Sequence, residues 1–292
     1  MSGEAWPALP LADWRETCDT LHMCVQMAGK VRLALAPPEP QWAHVALYVT
    51  PHGLTTGPVP YRERSFQIDF DFVEHVVAIT TSDGSSRKLA LEPRSVAAFY
   101  RWFVQALEEL GIDVHFWTMP VEVPDPIPFD RDERHAAYDP DAVSRFHRVL
   151  LQADMAMKRH RAPFRRRHSL VQFFFGTFDL AYARFSGRPA TPPSSDVIMA
   201  RAMDAEEICT GFWPGDERFP EPAFWCYAYP KPPGAERVAV APAAAFWSDA
   251  MGEFVLRYED VRRSDAPETA LSEFFASTFA GLSGLARWNE VP

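Results

Sequence analysis

The sequence contains at residues 66–72 the stretch Phe66-Gln67-Ile68-Asp69-Phe70-Asp71-Phe72, in which apolar and polar side chains alternate without a break. Successive side chains of a β-strand point to opposite faces of its sheet, so the pattern predicts a strand whose apolar side chains face the core. Short runs rich in β-branched and aromatic residues surround it at 45–50, 76–81 and 87–91, separated by turn residues. Together these runs predict an antiparallel sheet.

Helical patterns flank this sheet. Apolar residues recur at three- and four-residue spacing over 11–35 and over 94–110, which predicts two amphipathic helices. The remaining predicted elements are a strand over 112–117, helices over 141–161, 198–208 and 268–286, and strands over 170–178, 223–229 and 253–258. The predicted fold class is α+β.

The second half repeats the order of elements of the first, which suggests an internal duplication. Met, Ala and Lys occupy the same places in 27–32 and in 155–160. A β-like run follows each of these stretches, at 45–49 and at 171–175. We therefore expect two similar halves, each an antiparallel sheet flanked by helices.

A proline-rich segment separates the halves. Four prolines lie within 120–129, and proline fixes φ and removes a backbone donor, which favours an extended crossing. The predicted boundaries are 1–119 for the first half, 120–138 for the crossing and 139–292 for the second half.

Composition and charge exclude several classes of protein. The chain has 292 residues, of which 47% are hydrophobic, and a formal net charge of −10. Such a charge disfavours nucleic acid as a partner, because affinity for phosphates comes from basic side chains. The four cysteines form no CxxC pair, and neither a signal peptide nor a run of about 20 apolar residues is found. We expect a cytoplasmic protein that binds neither nucleic acid nor membrane.

The first helix carries a polar stripe beside its apolar one. His22, Gln26 and Lys30 lie at i, i+4 and i+8, so they share one face and could together bind an anionic or carbonyl-bearing ligand. A solvated flank of the helix is the alternative.

Polar residues interrupt the aromatic run that starts near Leu170. Gln172, Asp179 and Arg184 lie among aromatic residues such as Phe174, and a buried polar group without a partner costs about 1–3 kcal/mol. An ion pair between Asp179 and Arg184 would explain them. If there is a pocket, Gln172 and Asp179 are expected on its wall.

Glu221 lies between two prolines in an apolar neighbourhood. Burial there would raise the pKa of its carboxyl and suit it to general acid or base catalysis. An exposed loop carboxylate is the alternative.

Candidate metal ligands follow the crossing. Asp130, Asp132 and His135 combine carboxylates with an imidazole, a ligand set for divalent metals, although their spacing matches no defined metal loop. A charged approach to the next helix explains the same residues.

A basic segment, residues 158–168, stands out in this acidic chain. It predicts either a favourable helix C-terminus or a surface for an acidic or phosphate-bearing partner. No phosphate-binding loop, dinucleotide fingerprint or nucleophile elbow is present, and the sequence identifies no cofactor.

Several stretches of the chain resemble a bacterial family described only as a domain of unknown function. They are Val45–Thr50 with Gly53–Thr56, Pro124–Phe129, and Phe178–Leu180 leading to Arg184–Arg188. The likeness extends over nearly the whole chain. It implies a bacterial cytoplasmic protein and transfers no activity, cofactor or catalytic residue.

Two hypotheses of function follow. In the first, an enzyme or binding protein holds a small, partly apolar molecule at the seam between the halves, with Trp117, Phe174 and Trp225 among the lining aromatics. Its candidate catalytic residues are His22, Asp179 and Glu221, and its candidate ligand-binding residues include Gln26, Lys30, Gln172 and Arg184. In the second, a non-catalytic protein binds a protein partner through residues 158–168.

Overall fold

Two antiparallel sheets of six strands each, flanked by helices, form the protein, which confirms the predicted α+β class. The computed structural model describes residues 4–288. In the first sheet the strands run in the order β1-β2-β4-β5-β6, and β3 pairs with β4. The strands are β1 Tyr48–Thr50, β2 Gly53–Thr55, β3 Val59–Tyr61, β4 Arg64–Asp71, β5 Val76–Thr81 and β6 Ser86–Ala90.

The alternating stretch forms β4, the longest strand of this sheet. Phe66, Ile68 and Phe70 are buried, whereas Gln67 and Asp69 between them are half-buried on the other face. Helices α1 (Arg15–Leu35) and α2 (Val96–Glu109) flank the sheet, as the apolar spacing predicted. The apolar face of the sheet is therefore buried in the core.

The second sheet has the order β11-β12-β10-β9-β8-β7. One of its faces packs against helices, as shown by the rings of Phe224 and Phe275, whose centroids lie 6.0 Å apart. The strands are β7 Gln172–Phe174, β8 Asp179–Pro189, β9 Ala205–Trp213, β10 Ala223–Tyr229, β11 Phe246–Ser248 and β12 Glu253–Arg257. The helices of this half are α3 Pro140–Arg161, α4 Val197–Ala202, α5 Tyr258–Arg262 and α6 Pro267–Leu285.

Three sequence predictions are wrong in this part of the fold and before it. Residues 170–178 do not form one strand. They contain β7, which stops at Phe174, and the turn that leads to β8, which begins at Asp179. The helix predicted over 198–208 ends at Ala202, and β9 follows. Both β8 and β9 are buried along most of their length on both faces, so they lack the alternation that marks a half-exposed strand. Residues 112–117 form no strand.

The two halves meet along an antiparallel bridge. Leu47 and Phe173 exchange two backbone hydrogen bonds, both 2.8 Å long. On either side of the bridge a helix of one half reaches the hairpin of the other: Nε2 of His147 on α3 donates to the Thr50 carbonyl at 3.1 Å, and Nε2 of His22 on α1 donates to the Phe175 carbonyl at 2.9 Å. This reciprocity supports the idea of a duplication, which stays a prediction, as do the boundaries at 119 and 139.

A continuous core runs under both sheets. The rings of Trp14, directly before α1, and Phe146 on α3, one from each half, lie 5.0 Å apart, and Phe146 stacks on Phe178 at 5.6 Å. Among residues 4–288, no helix is long and apolar enough to cross a membrane.

Candidate functional site

The face of the second sheet that the helices do not cover forms the wall of a cavity of about 1040 Å³. We call it the seam cavity, because residues of both halves line it. The first half contributes Lys30, Tyr48 and residues 39–43, and the crossing contributes Glu122. The second half contributes side chains from the strands β7 to β10 and β12 and from α4. Leu33, Leu170 and Ile198 line the cavity and are more than a third exposed, so part of its rim is apolar.

Small residues on the inner strands make room for the cavity. Ala181 and Ala183 on β8 and Cys209 on β9 line its floor. Gly211 on β9 pairs with Trp225 on β10, and the indole of Trp225 lies where a Cβ of residue 211 would be. Only glycine admits this ring, so Trp225 lies flat on the sheet and forms part of the wall.

Asp179 is a buried acid of the wall. It opens β8, is 8% exposed, and accepts a hydrogen bond from the Thr177 hydroxyl through Oδ1. Among the described residues, Oδ2 has no partner. Desolvation raises the pKa of Asp179 to about 7, against the lowering effect of the Thr177 hydrogen bond. Near neutral pH this carboxyl therefore exists in both protonation states.

Three further carboxyl groups with a raised pKa line the same cavity. Glu207 on β9 is 5% exposed and accepts a hydrogen bond from the Tyr227 hydroxyl at 3.2 Å, and desolvation raises its pKa to about 7. Desolvation and then the charge of Asp179 raise the pKa of Glu253 on β12 to about 8. Glu122, at the rim, lies over Gly176, and desolvation raises its pKa too. Glu253 and Glu122 form no hydrogen bond or ion pair with a described residue.

The residues of the polar stripe of α1 differ in what they contact. Burial lowers the pKa of His22 to about 4, so the ring is neutral, and its Nε2 donates to the carbonyls of Phe175 and Gly176. Gln26 is fully buried and holds Val121 by two hydrogen bonds of 2.9 Å, from its amide to the carbonyl and from the Val121 N–H to its Oε1. Neither side chain lines the cavity. His22 fixes the turn that precedes Asp179, and Gln26 fixes the residue that precedes Glu122.

Lys30, one helical turn beyond Gln26, does reach the cavity. The side chain is 4% exposed, and its Nζ lies 5.4 Å from the ring centroid of Trp117 and 5.8 Å from that of Phe129. No described carboxylate lies within ion-pair distance of this nitrogen. Desolvation lowers the pKa of Lys30 to about 8.

Gln172, Phe174 and Trp225, which the sequence proposed as ligand-binding, line the cavity together with Asp179 and Lys30. Gln172 donates to the Ala43 carbonyl at 3.2 Å and leaves its Oε1 without a described partner. Trp117 does not line the cavity and is 69% exposed to solvent. The aromatic part of the wall thus comes mostly from the second sheet.

The proposed ion pair between Asp179 and Arg184 is wrong. The two residues differ by an odd number of positions on one strand, so their side chains point to opposite faces. The guanidinium of Arg184 lies 4.2 Å from the ring centroid of Phe279 and donates to the His160 carbonyl. Asp179 consequently has no cation as a direct partner.

Glu221 lies outside the cavity in the loop before β10. Its carboxylate is half exposed and forms an ion pair with Arg257 at 3.0 Å. This is the environment of the alternative interpretation, an exposed loop carboxylate.

The candidate metal ligands serve a helix end. Oδ2 of Asp132 accepts from Nδ1 of His135 at 2.6 Å, and the carbonyls of the same two residues accept the N–H groups of Ala97 and Val96 at the start of α2. Asp130 is exposed and lies beside Arg131. Among residues 4–288, no three His, Cys, Asp or Glu side chains are arranged to hold a metal ion.

Most of the basic segment, residues 158–168, is engaged within the chain. Lys158 pairs with Asp154 at 2.6 Å and Arg159 pairs with Glu268 at 2.7 Å. Arg161 donates to the Ser169 carbonyl at 3.1 Å, and Arg167 donates to Gln41. A partner at this segment stays a prediction.

Sequence reasoning missed Glu122, Glu207 and Glu253. No local pattern marks them, because their place on the same wall as Asp179 depends on the strand order β12-β10-β9-β8 and on the path of the crossing. The one available signal was Glu207 itself, a charged residue directly before the apolar run Ile208–Trp213.

Comparisons with known proteins extend the resemblance seen in the sequence. A search of curated proteins and a search of solved structures gave no match. Residues 6–291 match the family described as Family of unknown function (DUF5996). Since this match covers nearly the whole chain, the protein belongs to that family.

Proposed function

We propose that the protein binds a small, partly apolar molecule in the seam cavity. The observation that carries the proposal is the composition of its wall, in which aromatic rings surround carboxyl groups that form no ion pair with a described residue. Small-molecule sites are typically concave and mostly apolar, with a few polar groups that fix orientation, and they measure about 300–1,000 Å³. The volume of about 1040 Å³ lies just above this range.

Acid–base catalysis is the reaction class that this wall supports best. The pKa values of Asp179 and Glu253, about 7 and about 8, allow either carboxyl to accept or donate a proton near neutral pH. Perturbed pKa values of this kind cluster at functional sites. The proposal assigns proton transfer on the bound molecule to these two acids, and binding to Gln172, Phe174 and Trp225.

A cytoplasmic location belongs to the same proposal. Its support is that all four cysteines are buried thiols without disulfide partners, which is typical of proteins from a reducing compartment.

Titration with a neutral, fluorescent apolar dye such as Nile red tests binding in the cavity. Ala183 faces the cavity from β8, so Ala183→Phe should fill the site and reduce dye affinity by at least about tenfold. The matched control is Ala276→Phe, on the exposed side of α6. Unchanged dye binding by Ala183→Phe in a folded protein would contradict the proposal.

A further inference from the structure

The acidic side chains that line the seam cavity are not paired with the cationic side chains that line it. Arg218 at the rim is engaged by Asp216 at 2.8 Å, and Arg167 donates to Gln41 and lies 4.3 Å from the ring centroid of Phe185. Lys30 lies over aromatic rings, away from the carboxylates. The acids of the wall therefore face the cavity without a described ion-pair partner.

Asp179 is one of several ionisable groups on this wall. Glu122 from the crossing, Glu253 from β12 and the Cys209 thiol from β9 line the same cavity. The charge of Glu122 adds to the raised pKa of Asp179, and the charge of Asp179 adds to the raised pKa of Glu253. Arg218 is the cation that acts on Glu122 and Glu253, and its effect is outweighed by desolvation. Asp179 itself is more than nine-tenths buried, and its Oδ2 has no described partner.

Aromatic faces stand beside these carboxylates. The rings of Trp225 and Tyr227 are nearly parallel, at 11°, with centroids 5.6 Å apart. Trp213 and Phe174 line the same space. The negative face of an aromatic ring attracts a cation, and the attraction is strongest for tryptophan and in desolvated sites.

We propose that the ligand of the seam cavity is an organic cation, an alkylammonium or arylalkylammonium ion whose charged nitrogen binds Asp179 and whose apolar part packs on Trp225. This inference rests on the proposed small-molecule function and specifies the ligand class. A buried carboxylate accepts the N–H donors of an ammonium group, and the rings provide both apolar contact and cation–π attraction. Neither an anion nor a neutral hydrocarbon would satisfy the unpartnered Oδ2 of Asp179.

Three probes of nearly equal shape test this inference: phenethylamine, 2-phenylethanol and 3-phenylpropionate, each titrated into the full chain by calorimetry. We expect the amine to bind at least about tenfold more tightly than the alcohol, and the carboxylate to bind most weakly. Asp179→Asn should remove this preference for the amine, and Glu253→Gln should reduce it by removing another negative charge from the cavity wall. The controls Asp265→Asn and Glu63→Gln, both exposed and outside the cavity, should behave like the unsubstituted protein.

The pH dependence provides a second readout. Ammonium binding favours the ionised acids, so amine affinity should rise from about pH 6 to about pH 8.5, with release of protons on binding. Affinity that does not change with pH would overturn the inference.

The outcomes separate the two proposals. Equal affinity for amine and alcohol, or a preference for the carboxylate, would overturn the organic cation and leave a small-molecule site that binds Nile red. Absence of binding of all three probes and of Nile red would overturn both.

Discussion

Replacing Asp179 by asparagine should stabilise the protein, and the gain should depend on pH. Desolvation raises the pKa of this carboxyl from 3.8 to about 7 in the folded state. Between these values the unfolded chain has lost a proton that the folded chain keeps, so the contribution of Asp179 to folding stability falls as pH rises from about 4 to about 7 and is constant above that range. Each pKa unit corresponds to about 1.4 kcal/mol, which sets an upper limit of about 4 kcal/mol.

The expected gain for Asp179→Asn at pH 8 is about 1–3 kcal/mol, because the asparagine amide must also be desolvated. The new side chain keeps an oxygen that can accept from Thr177, so the turn before β8 is retained. Near pH 4, close to the pKa of the unfolded chain, most of the gain should be lost, and at about pH 2 to 3, where the acid is neutral in both states, it should vanish.

Urea unfolding at about pH 4.5, 6 and 8 measures this difference, with Asp265→Asn as an exposed control expected to change stability by less than about 0.5 kcal/mol. A loss of stability that is the same at every pH would refute the reasoning. In that case the carboxylate would be a structural hydrogen-bond acceptor, and its place in the cavity would carry no functional meaning.

Other predictions concern α1 and its neighbours. Gln26→Leu should destabilise the chain by about 2–4 kcal/mol in urea unfolding, because it leaves both backbone groups of Val121 buried without a partner. Gly29→Ala should also destabilise, by about 1–3 kcal/mol, although alanine favours helices, since the ring of Phe175 occupies the position of the new Cβ; a gain in Tm would contradict this packing. Lys30, whose pKa is about 8, should be acetylated first at about pH 8 by acetic anhydride, as read by peptide mass spectrometry, and equal labelling of all lysines would contradict its desolvated position.

The fold was predictable wherever one face of an element is buried and the other is not. β4 shows this case, since its alternation marks both the strand and its buried face. β8 and β9 show the opposite case. Helices cover one face of these strands and the seam cavity encloses the other, so the burial pattern is nearly continuous and shows no period. That is why one hairpin was read as a single strand and part of β9 as a helix.

The site was predictable only in part for a related reason. Gln172 and Asp179 stand out because they interrupt an aromatic run, and this local signal places both on the cavity wall. The stripe of His22, Gln26 and Lys30 was visible as one helix face, but helical spacing does not reveal which segments pack against that face. The structure shows that His22 and Gln26 bind backbone groups beside Asp179 and Glu122, so their role is positioning.

The side chains on the two faces of the second sheet contribute differently to folding stability. On the helix-covered face, Leu180, Phe212 and Phe224 are fully buried against α3, α5 and α6, which is the arrangement that maximises stability. On the other face the same strands carry Asp179 and Glu207, which are desolvated to a similar degree and oppose folding when ionised. Apolar side chains on this face would make the sheet more stable and would fill the cavity. Under the proposed function, a molecule that binds in the cavity would offset the loss of folding stability that these desolvated acids cause.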